Sequence, residues 1–446
     1  MQLPAPAKDE AVPTNDGLAG GRAPYRHVIA NVCDSNTFPL FPFSFPIMVR
    51  ILDLLSEQQT WEEFLTYRLL KGRFNWYEFD EADTYVSEQQ YRDVVARLQR
   101  GEPLSVPTRH LVNKMGSGKK RVVYSFPPEE MIVMKAMAFL LYRYDEQLAP
   151  NCYSFRRGLT AHDAISHLVS TIGNRPMWAY KLDIHNYFNT ISIPLLLPIL
   201  SEVMADDPPL YAFFDRLLTD GRASADGEII REERGVMAGT PTSPFLANIY
   251  LREVDCHFAD AGVLYARYSD DIILFAPDRP TLDRHIDELH AFLVKYRLEV
   301  NPDKVRIYCP GEAFDFLGFK CEGHHIDIAD ATRQKMKDKI RRKARALQRW
   351  RSKNDVDDEM AMKALIRHFN RKFFESDDPS ALTWARWFFP MINQAEGLKE
   401  IDHYLQSNLR YVATGRHNKA NYRIRYDLLK KLGYRSLVHE YYATSK

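Results

Sequence analysis

At 446 residues, with 45% hydrophobic and 27% charged side chains, the chain has the composition of a soluble globular protein with room for two or three domains. Its five cysteines, Cys33, Cys152, Cys256, Cys309 and Cys321, contain no CxxC pair, which leaves no pattern for a zinc site or a disulfide framework, so reduced thiols in the cytoplasm are expected. The formal net charge of +1 excludes a uniformly basic surface, but it averages unlike segments: residues 52–104 carry eleven Asp/Glu against six Lys/Arg, and residues 331–353 carry eleven Lys/Arg against Asp338 alone.

Residues 1–22, rich in Pro, Ala and Gly without periodicity, read as a flexible tail. The aromatic stretch 38–45 is broken by Pro39 and Pro42 and followed by Pro46, so it predicts neither a membrane span nor a signal segment. Apolar residues recur at helical spacing over 46–70, and 87–98 reads as a second helix. Lys114-Met115-Gly116-Ser117-Gly118-Lys119-Lys120-Arg121 predicts a basic, glycine-containing hairpin tip leading into a strand. A helix over 129–145 follows, then Ser154-Phe155-Arg156-Arg157-Gly158 and a helix that begins at Thr160, which His162 and Asp163 are expected to cap or pack.

Trp178-Ala179-Tyr180-Lys181-Leu182-Asp183 is a β-run ending in a carboxylate. Asp270 lies 87 residues further on, where 265–275 predicts a strand, a tight polar turn and a return strand with Asp270-Asp271 at the corner. Adjacent pairs also occur at Asp206-Asp207, Asp357-Asp358 and Asp377-Asp378, in polar or Pro-punctuated stretches that read as solvated loops. Only Asp270-Asp271 is wedged between apolar runs, where uncompensated charge is costly. Two carboxylates that repel each other and lose hydration ask for a divalent cation. With Asp183 at a neighbouring strand end they would hold two Mg²⁺, the arrangement that clamps the attacking and leaving oxygens in phosphoryl transfer. An amphipathic helix is predicted over 282–296, then Asn301-Pro302-Asp303-Lys304, and then a helix over 331–353. That helix has Met336, Ile340, Ala344 and Leu347 on one face and cations around the rest, Lys337, Arg341 and Arg345 among them, expected to bind nucleic-acid backbone.

On these residues the chain resembles reverse transcriptases. Tyr268-Ser269-Asp270-Asp271 is similar to their YxDD box, Leu182-Asp183-Ile184 with Tyr187-Phe188 to their first catalytic motif, and Gly239-Thr240-Pro241-Thr242-Ser243-Pro244 to their template- and nucleotide-positioning motif. The resemblance covers about residues 112–320 and implies an α/β right-hand polymerase, fingers and palm, with an all-helical C-terminal thumb. It divides the chain into a tail at 1–22, an N-terminal helical region and fingers at 23–177, a palm at 178–330 with part of the fingers inserted at 193–235, and a helical thumb or C-terminal domain at 331–446. It implies RNA-directed DNA synthesis with Asp183, Asp270 and Asp271 as catalytic ligands of two Mg²⁺ and Lys304 protonating the leaving pyrophosphate. Lys114, Arg121 and Arg156 would hold the triphosphate, an arginine fork suiting phosphate oxygens. Phe188 would lie beneath the sugar and exclude a ribose 2′-OH, with Tyr187 the neighbouring alternative, and Gly239 and Ser243 would let the base pair approach. Phe314-Asp315-Phe316-Leu317-Gly318-Phe319 is similar to the primer-grip hairpin.

Within the family, Gly-Thr-Pro-Thr-Ser-Pro with a helical C-terminus looks closest to retron, abortive-infection and other defence-associated bacterial enzymes. That implies a noncoding RNA template, a nucleic-acid or protein primer, dNTP substrates and antiphage defence; a homo-oligomer is compatible with it, and no membrane is implied. One position departs from the pattern: Ala238 stands where retron-like enzymes carry Gln. Two other readings therefore stay open. One is untemplated or protein-primed synthesis, hinted at by Tyr441, Tyr442 and Ser445, and the other is an RNA-binding scaffold without catalysis.

Overall fold

The computed structural model describes residues 49–446 apart from 71–75, 114–119, 376–382 and 445–446, all within the compact unit Phe45–Lys446. Among the described residues there are three sheets. The first, in the order β2-β1-β4-β5, joins β1 (Thr108–Asn113) and β2 (Lys120–Ser125) to β4 (Arg222–Ala225) and β5 (Glu228–Arg231). The second, ordered β6-β7-β3-β8, contains β3 (Trp178–Asp183), β6 (Tyr265–Tyr268), β7 (Asp271–Ala276) and β8 (Arg306–Tyr308). The third is a meander of β9 (Phe314–Phe316), β10 (Phe319–Glu322) and β11 (His325–Ile328).

The second sheet is wholly antiparallel, and the two-residue alternation of its strands sorts side chains onto two cores. Tyr180, Leu182, Ile272 and Leu274 enter one core, shared with the helices 193–203, 208–220, 243–250 and 279–295. Ala179, Ala266, Ile273, Phe275 and Tyr308 enter the other, shared with the helix Ala161–Ile172, the third sheet and the C-terminal helices. Lys181 and Asp183 share the second face with Ala179, so the carboxylate lies at the rim of a sheet packed on both sides.

The C-terminal region is helical: Asp330–Asn354, Asp358–Phe374, Trp384–Phe388, Glu396–Thr414, Tyr426–Lys431 and Leu437–Thr444. Met336, Ile340 and Ala344, four residues apart, form the buried stripe of the first of these helices. Left-handed Asp355 ends it, and Asp357 starts the next by accepting the Glu359 and Met360 N–H groups.

Several local expectations need correction. The helix expected over 87–98 spans the end of one helix, Trp76–Ser87, and most of another, Arg92–Gln99, separated by a turn with Gln89 at φ 56°. Asp206-Asp207 is no solvated loop: Asp207 is buried, accepts the Ile51 N–H at 2.7 Å and pairs with Arg143 at 3.0 Å. The pair Asp377-Asp378 lies outside the described residues. Thr160 does start the helix Ala161–Ile172, with Asp163 completing a reciprocal capping box and His162 bonded to the Trp387 carbonyl at 2.7 Å.

Candidate active site

In the antiparallel register Asp183 stands directly opposite Asp271, and Tyr268 also pairs with Asp271, which leaves Ser269 and Asp270 as the turn between β6 and β7. Ser269 adopts φ 62°, a left-handed conformation that a non-glycine residue holds only when its surroundings insist. The surroundings are a buried polar network. Ser269 donates its N–H to Ser154 Oγ at 2.8 Å, Ser154 Oγ donates to Asn248 Oδ1 at 3.2 Å, and Asn248 Nδ2 donates to the Ser154 carbonyl at 2.7 Å. Beneath them Arg267, fully buried, donates from Nε to Asp255 Oδ1 at 2.8 Å and from Nη1 to the Ser269 carbonyl at 3.3 Å. Breaking such a buried pair from one side would strand a charge.

The turn so held brings Asp183, Asp270 and Asp271 together, each offering a carboxylate oxygen within 4.8 Å of the others. Burial raises the Asp270 carboxyl above its usual range, the Asp183 charge adds to the rise, and Lys304 and Arg121 oppose it. Burial pushes Asp271 up to about 6, with Lys181 and Lys304 opposing and Asp270 and Asp183 reinforcing. Three oxygen donors whose negative charges are mutually unfavourable are a hard-cation site by chemistry and by spacing, so the triad fits divalent metal.

Lys304, in the short turn Pro302–Lys304, places its ammonium on Asp183 Oδ2. Asn301 fixes that approach by donating its N–H to the Asp183 carbonyl at 2.8 Å, with its amide Nδ2 3.4 Å from Oδ1. Arg121 sits on β2 opposite Val112, and its charge reaches Asp270; Lys114 lies outside the described residues. Gly239, at φ 99°, lies where an added Cβ would meet the Tyr124 carbonyl and Val123 Cβ at 3.2 Å, so β2 itself requires a glycine there. Of the two aromatic candidates, Tyr187 is buried and donates its hydroxyl to the Ala247 carbonyl at 2.5 Å, whereas Phe188 is half-buried.

Two expected contacts point elsewhere. The Arg156 guanidinium donates to the carbonyls of Ala149 at 2.7 Å, Cys152 at 3.1 Å and Asp145 at 2.8 Å, and its remaining Nε is buried without a partner among the described residues. It ties down the end of the 3₁₀ turn Leu141–Gln147. Ser243 is buried with its hydroxyl donated to the Thr240 carbonyl at 2.8 Å, so it serves the start of the helix Ser243–Tyr250.

The basic helix also differs from expectation. Lys337 is paired with Glu400, and Arg341 with Asp338 at 2.6 Å. Lys335, Lys339, Arg342 and Lys343 make no ion pair among the described residues, and they converge with Lys372 and His368 of the neighbouring helix. Burial, then Lys372, Arg342 and Lys335, lower the Lys339 pKa; burial, then Lys343, Lys372 and Arg371, lower that of His368.

Sequence reasoning missed Lys181, Ser154, Asn248 and the Arg267–Asp255 pair. An arginine inside the apolar run Tyr265-Ala266-Arg267-Tyr268 was a usable signal, because a charge on a buried strand needs a partner.

Residues 112–321 match the family described as Reverse transcriptase (RNA-dependent DNA polymerase). Solved telomerases show a looser likeness. Apo telomerase from Candida tropicalis truncated of its C-terminal domain aligns over 51% of this chain and 56% of its own, at 13% identity and TM-score 0.43. Telomerase from Candida albicans in complex with a TWJ fragment of telomeric RNA aligns over 78% and 68%, at 13% identity and TM-score 0.41. Apo telomerase from Candida tropicalis aligns over 74% and 60%, at 11% identity and TM-score 0.44. The chain spans little more than half of the first of these, and the class rests on the family match. The chain carries a reverse transcriptase domain, whose enzyme class is RNA-directed DNA polymerase, a nucleotidyltransferase. Its fold is that of right-hand polymerase fingers and palm followed by a helical C-terminal region.

Proposed function

We propose that this chain makes cDNA on a partner noncoding RNA, in the cytoplasm, as a bacterial defence-associated reverse transcriptase. The observation that carries the polymerase reading is the convergence of Asp183, Asp270 and Asp271 within 4.8 Å at the ends of paired strands. The same proposal divides the chain into fingers at 23–177, palm at 178–330 with fingers inserted at 193–235, and thumb at 331–446. In support, β4 and β5, from the inserted segment, join β1 and β2 in one sheet.

In the reaction a primer 3′-hydroxyl attacks the α-phosphate of a dNTP and pyrophosphate leaves. Two Mg²⁺ ions, when bound, supply the positive charge that activates the attacking oxygen and neutralises the leaving one. The three aspartates provide the anionic donors. Lys304, whose side chain is 44% exposed where it rests on Asp183, holds a proton at the edge of the site for the pyrophosphate. Arg121 supplies positive charge from the hairpin side. The half-buried Phe188 ring, five residues beyond Asp183, walls the space a sugar would occupy and leaves no room for a 2′-OH.

A second reading, protein-primed or untemplated synthesis on the same palm, draws on Ala238 and on the exposed Tyr442. Tyr441 donates its hydroxyl to the Ile392 carbonyl at 2.8 Å, and Ser445 lies outside the described residues. The third, a silent scaffold, has the complete acidic triad against it.

The test is primer extension on RNA with Mg²⁺ by the full chain and by Asp183→Asn and Asp270→Asn. Both variants should lose incorporation and keep RNA binding, since backbone contacts are separate from the carboxylates. Undiminished incorporation by either variant would overturn the assignment.

A further inference from the structure

Three aromatic side chains from separate parts of the chain meet beside the carboxylates. The Phe155 ring stands edge-on to Phe188, centroids 6.2 Å apart at 82°, and lies 6.4 Å from Tyr268 at 40°. Among the described residues no ring contact joins Phe188 to Tyr268 directly, so Phe155 links the segment after Asp183 to the segment before Asp270. Phe155 is 41% exposed, unlike the core aromatics, and has φ 55°. An exposed aromatic residue in a left-handed conformation is costly, and its surroundings enforce it. Tyr153 donates its N–H to the Arg267 carbonyl at 3.0 Å, Ser154 Oγ accepts the Ser269 N–H at 2.8 Å, and the Arg157 N–H donates to Asp145 at 2.7 Å. The residues on both sides of Phe155 are therefore pinned, Ser154 to the turn that carries Asp270 and Tyr153 to the strand leading into it.

Among the described residues the other ring touching Phe188 belongs to Tyr187, its neighbour in the chain, at 5.8 Å and 69°. That contact, with Tyr187 itself buried and bonded to Ala247, and the packing of Phe188 on the adjoining hydrophobic core hold the ring in part. Among the described residues Phe155 is the ring contact from a separate segment that further restricts where the Phe188 ring stands. We infer that Phe155 is a positioning residue that fixes the Phe188 ring, and through it sets the discrimination between deoxyribonucleoside and ribonucleoside triphosphates. This rests on the proposed reading of Phe188 as the wall facing the sugar. With Phe155 removed, Phe188 regains side-chain freedom, swings from the sugar position for part of the time and admits a 2′-OH.

The experiment measures kcat/KM for one dNTP and for the matching rNTP with the full chain on an RNA template and DNA primer, in Mg²⁺. The variants are Phe155→Ala, Phe155→Leu, Phe155→Tyr, Phe188→Val and the double variant Phe155→Ala with Phe188→Val. The preference for dNTP should fall about two- to tenfold in Phe155→Ala, the range an edge-to-face pair supports. It should fall less in Phe155→Leu and return in Phe155→Tyr. Adding Phe155→Ala to Phe188→Val should leave the ratio where Phe188→Val put it, because the residue acts through the missing ring.

An unchanged ratio in both Phe155→Ala and Phe155→Leu, with thermal midpoints showing both folded, would overturn the inference. So would a full additional loss in the double variant, which would mean that Phe155 acts independently. Absence of incorporation by the unsubstituted protein is a different result, since it removes the polymerase reading itself.

Discussion

Replacing Asp271 with Asn separates what the carboxylate costs the fold from what it gives the reaction. Burial and the charges of Asp270 and Asp183 lift its pKa from 3.8 to about 6. A raised carboxylate pKa means that the folded state holds the proton more tightly than the unfolded chain. The penalty is therefore absent below about pH 4, grows as pH rises through about 4 to 6, and is complete above that. At about 1.4 kcal/mol per unit the shift amounts to roughly 3 kcal/mol, and because the charge is shared with two other carboxylates about 1–3 kcal/mol falls to this residue. In EDTA at pH 8 the Asp271→Asn protein should melt several degrees above the unsubstituted one, and near pH 4 the difference should vanish. Mg²⁺ should reverse the order: at one thousand times the dissociation constant binding adds about 4.1 kcal/mol, and only the unsubstituted site binds with that strength. Thermal unfolding followed by circular dichroism under the three conditions checks the sign at each step. Equal or lower stability of Asp271→Asn in EDTA at pH 8, or an equal response of both proteins to Mg²⁺, would refute the reasoning.

Neutralising Lys339, Lys343 and Lys372 together should flatten the dependence of log affinity for an RNA–DNA duplex on log salt by about 2–3, at up to about 0.9 per lost phosphate contact. Lys337→Ala with Arg341→Ala should change it little, since both side chains are already ion-paired; the reverse result would place the backbone on the paired face. Ser154→Ala removes the acceptor of the Ser269 N–H in a buried site, so it should cost about 1–3 kcal/mol and raise the Mg²⁺ needed for half-maximal incorporation, with partial rescue by Ser154→Thr; an unchanged Mg²⁺ requirement would detach the network from the turn. Sequenced products on a heteropolymeric RNA should be short or low in complexity, because Ala238 offers no amide to a template–nucleotide pair. Ala238→Gln should lengthen and diversify them, at about 1–3 kcal/mol of overpacking in a buried position, and long accurate copies from the unsubstituted protein would sink the argument.

The acidic triad was legible in the sequence because each aspartate sits at the end of an apolar alternation. That pattern encodes both the strand and the point at which it runs out, and a charge there has to be used. Asp206-Asp207, in a Pro-punctuated stretch that reads as a solvated loop, is the opposite case. Asp207 is buried by Ile51, 156 residues away, and by Arg143, neither of which leaves a mark on the flanking sequence. The basic helix repeats the lesson. Eleven cations in 23 positions announce a charged element, but Glu400, on another helix, decides that Lys337 does not face solvent alone.

Arg156 and Arg267 carry the argument further, since both are arginines beside the site and neither is free to meet phosphate. Arg156 is taken up by three carbonyls and Arg267 by Asp255 and the carbonyl of Ser269. Arg156 is expected at phosphate and Arg267 is not read from the sequence at all; buried Arg267 needs its partners because an orphaned guanidinium in the interior is costly. Of the groups proposed to meet metal or substrate, Asp270, Asp271, Lys304 and Phe188 stay partly exposed while Asp183 is buried, and strand ends and turn positions reveal them. Groups that hold those residues in place must be satisfied from every side. Ser154 with Asn248, 94 residues apart, and Arg267 with Asp255 are satisfied across distances that no local pattern spans, so the geometry of the catalytic turn is a tertiary property although its chemistry is a local one.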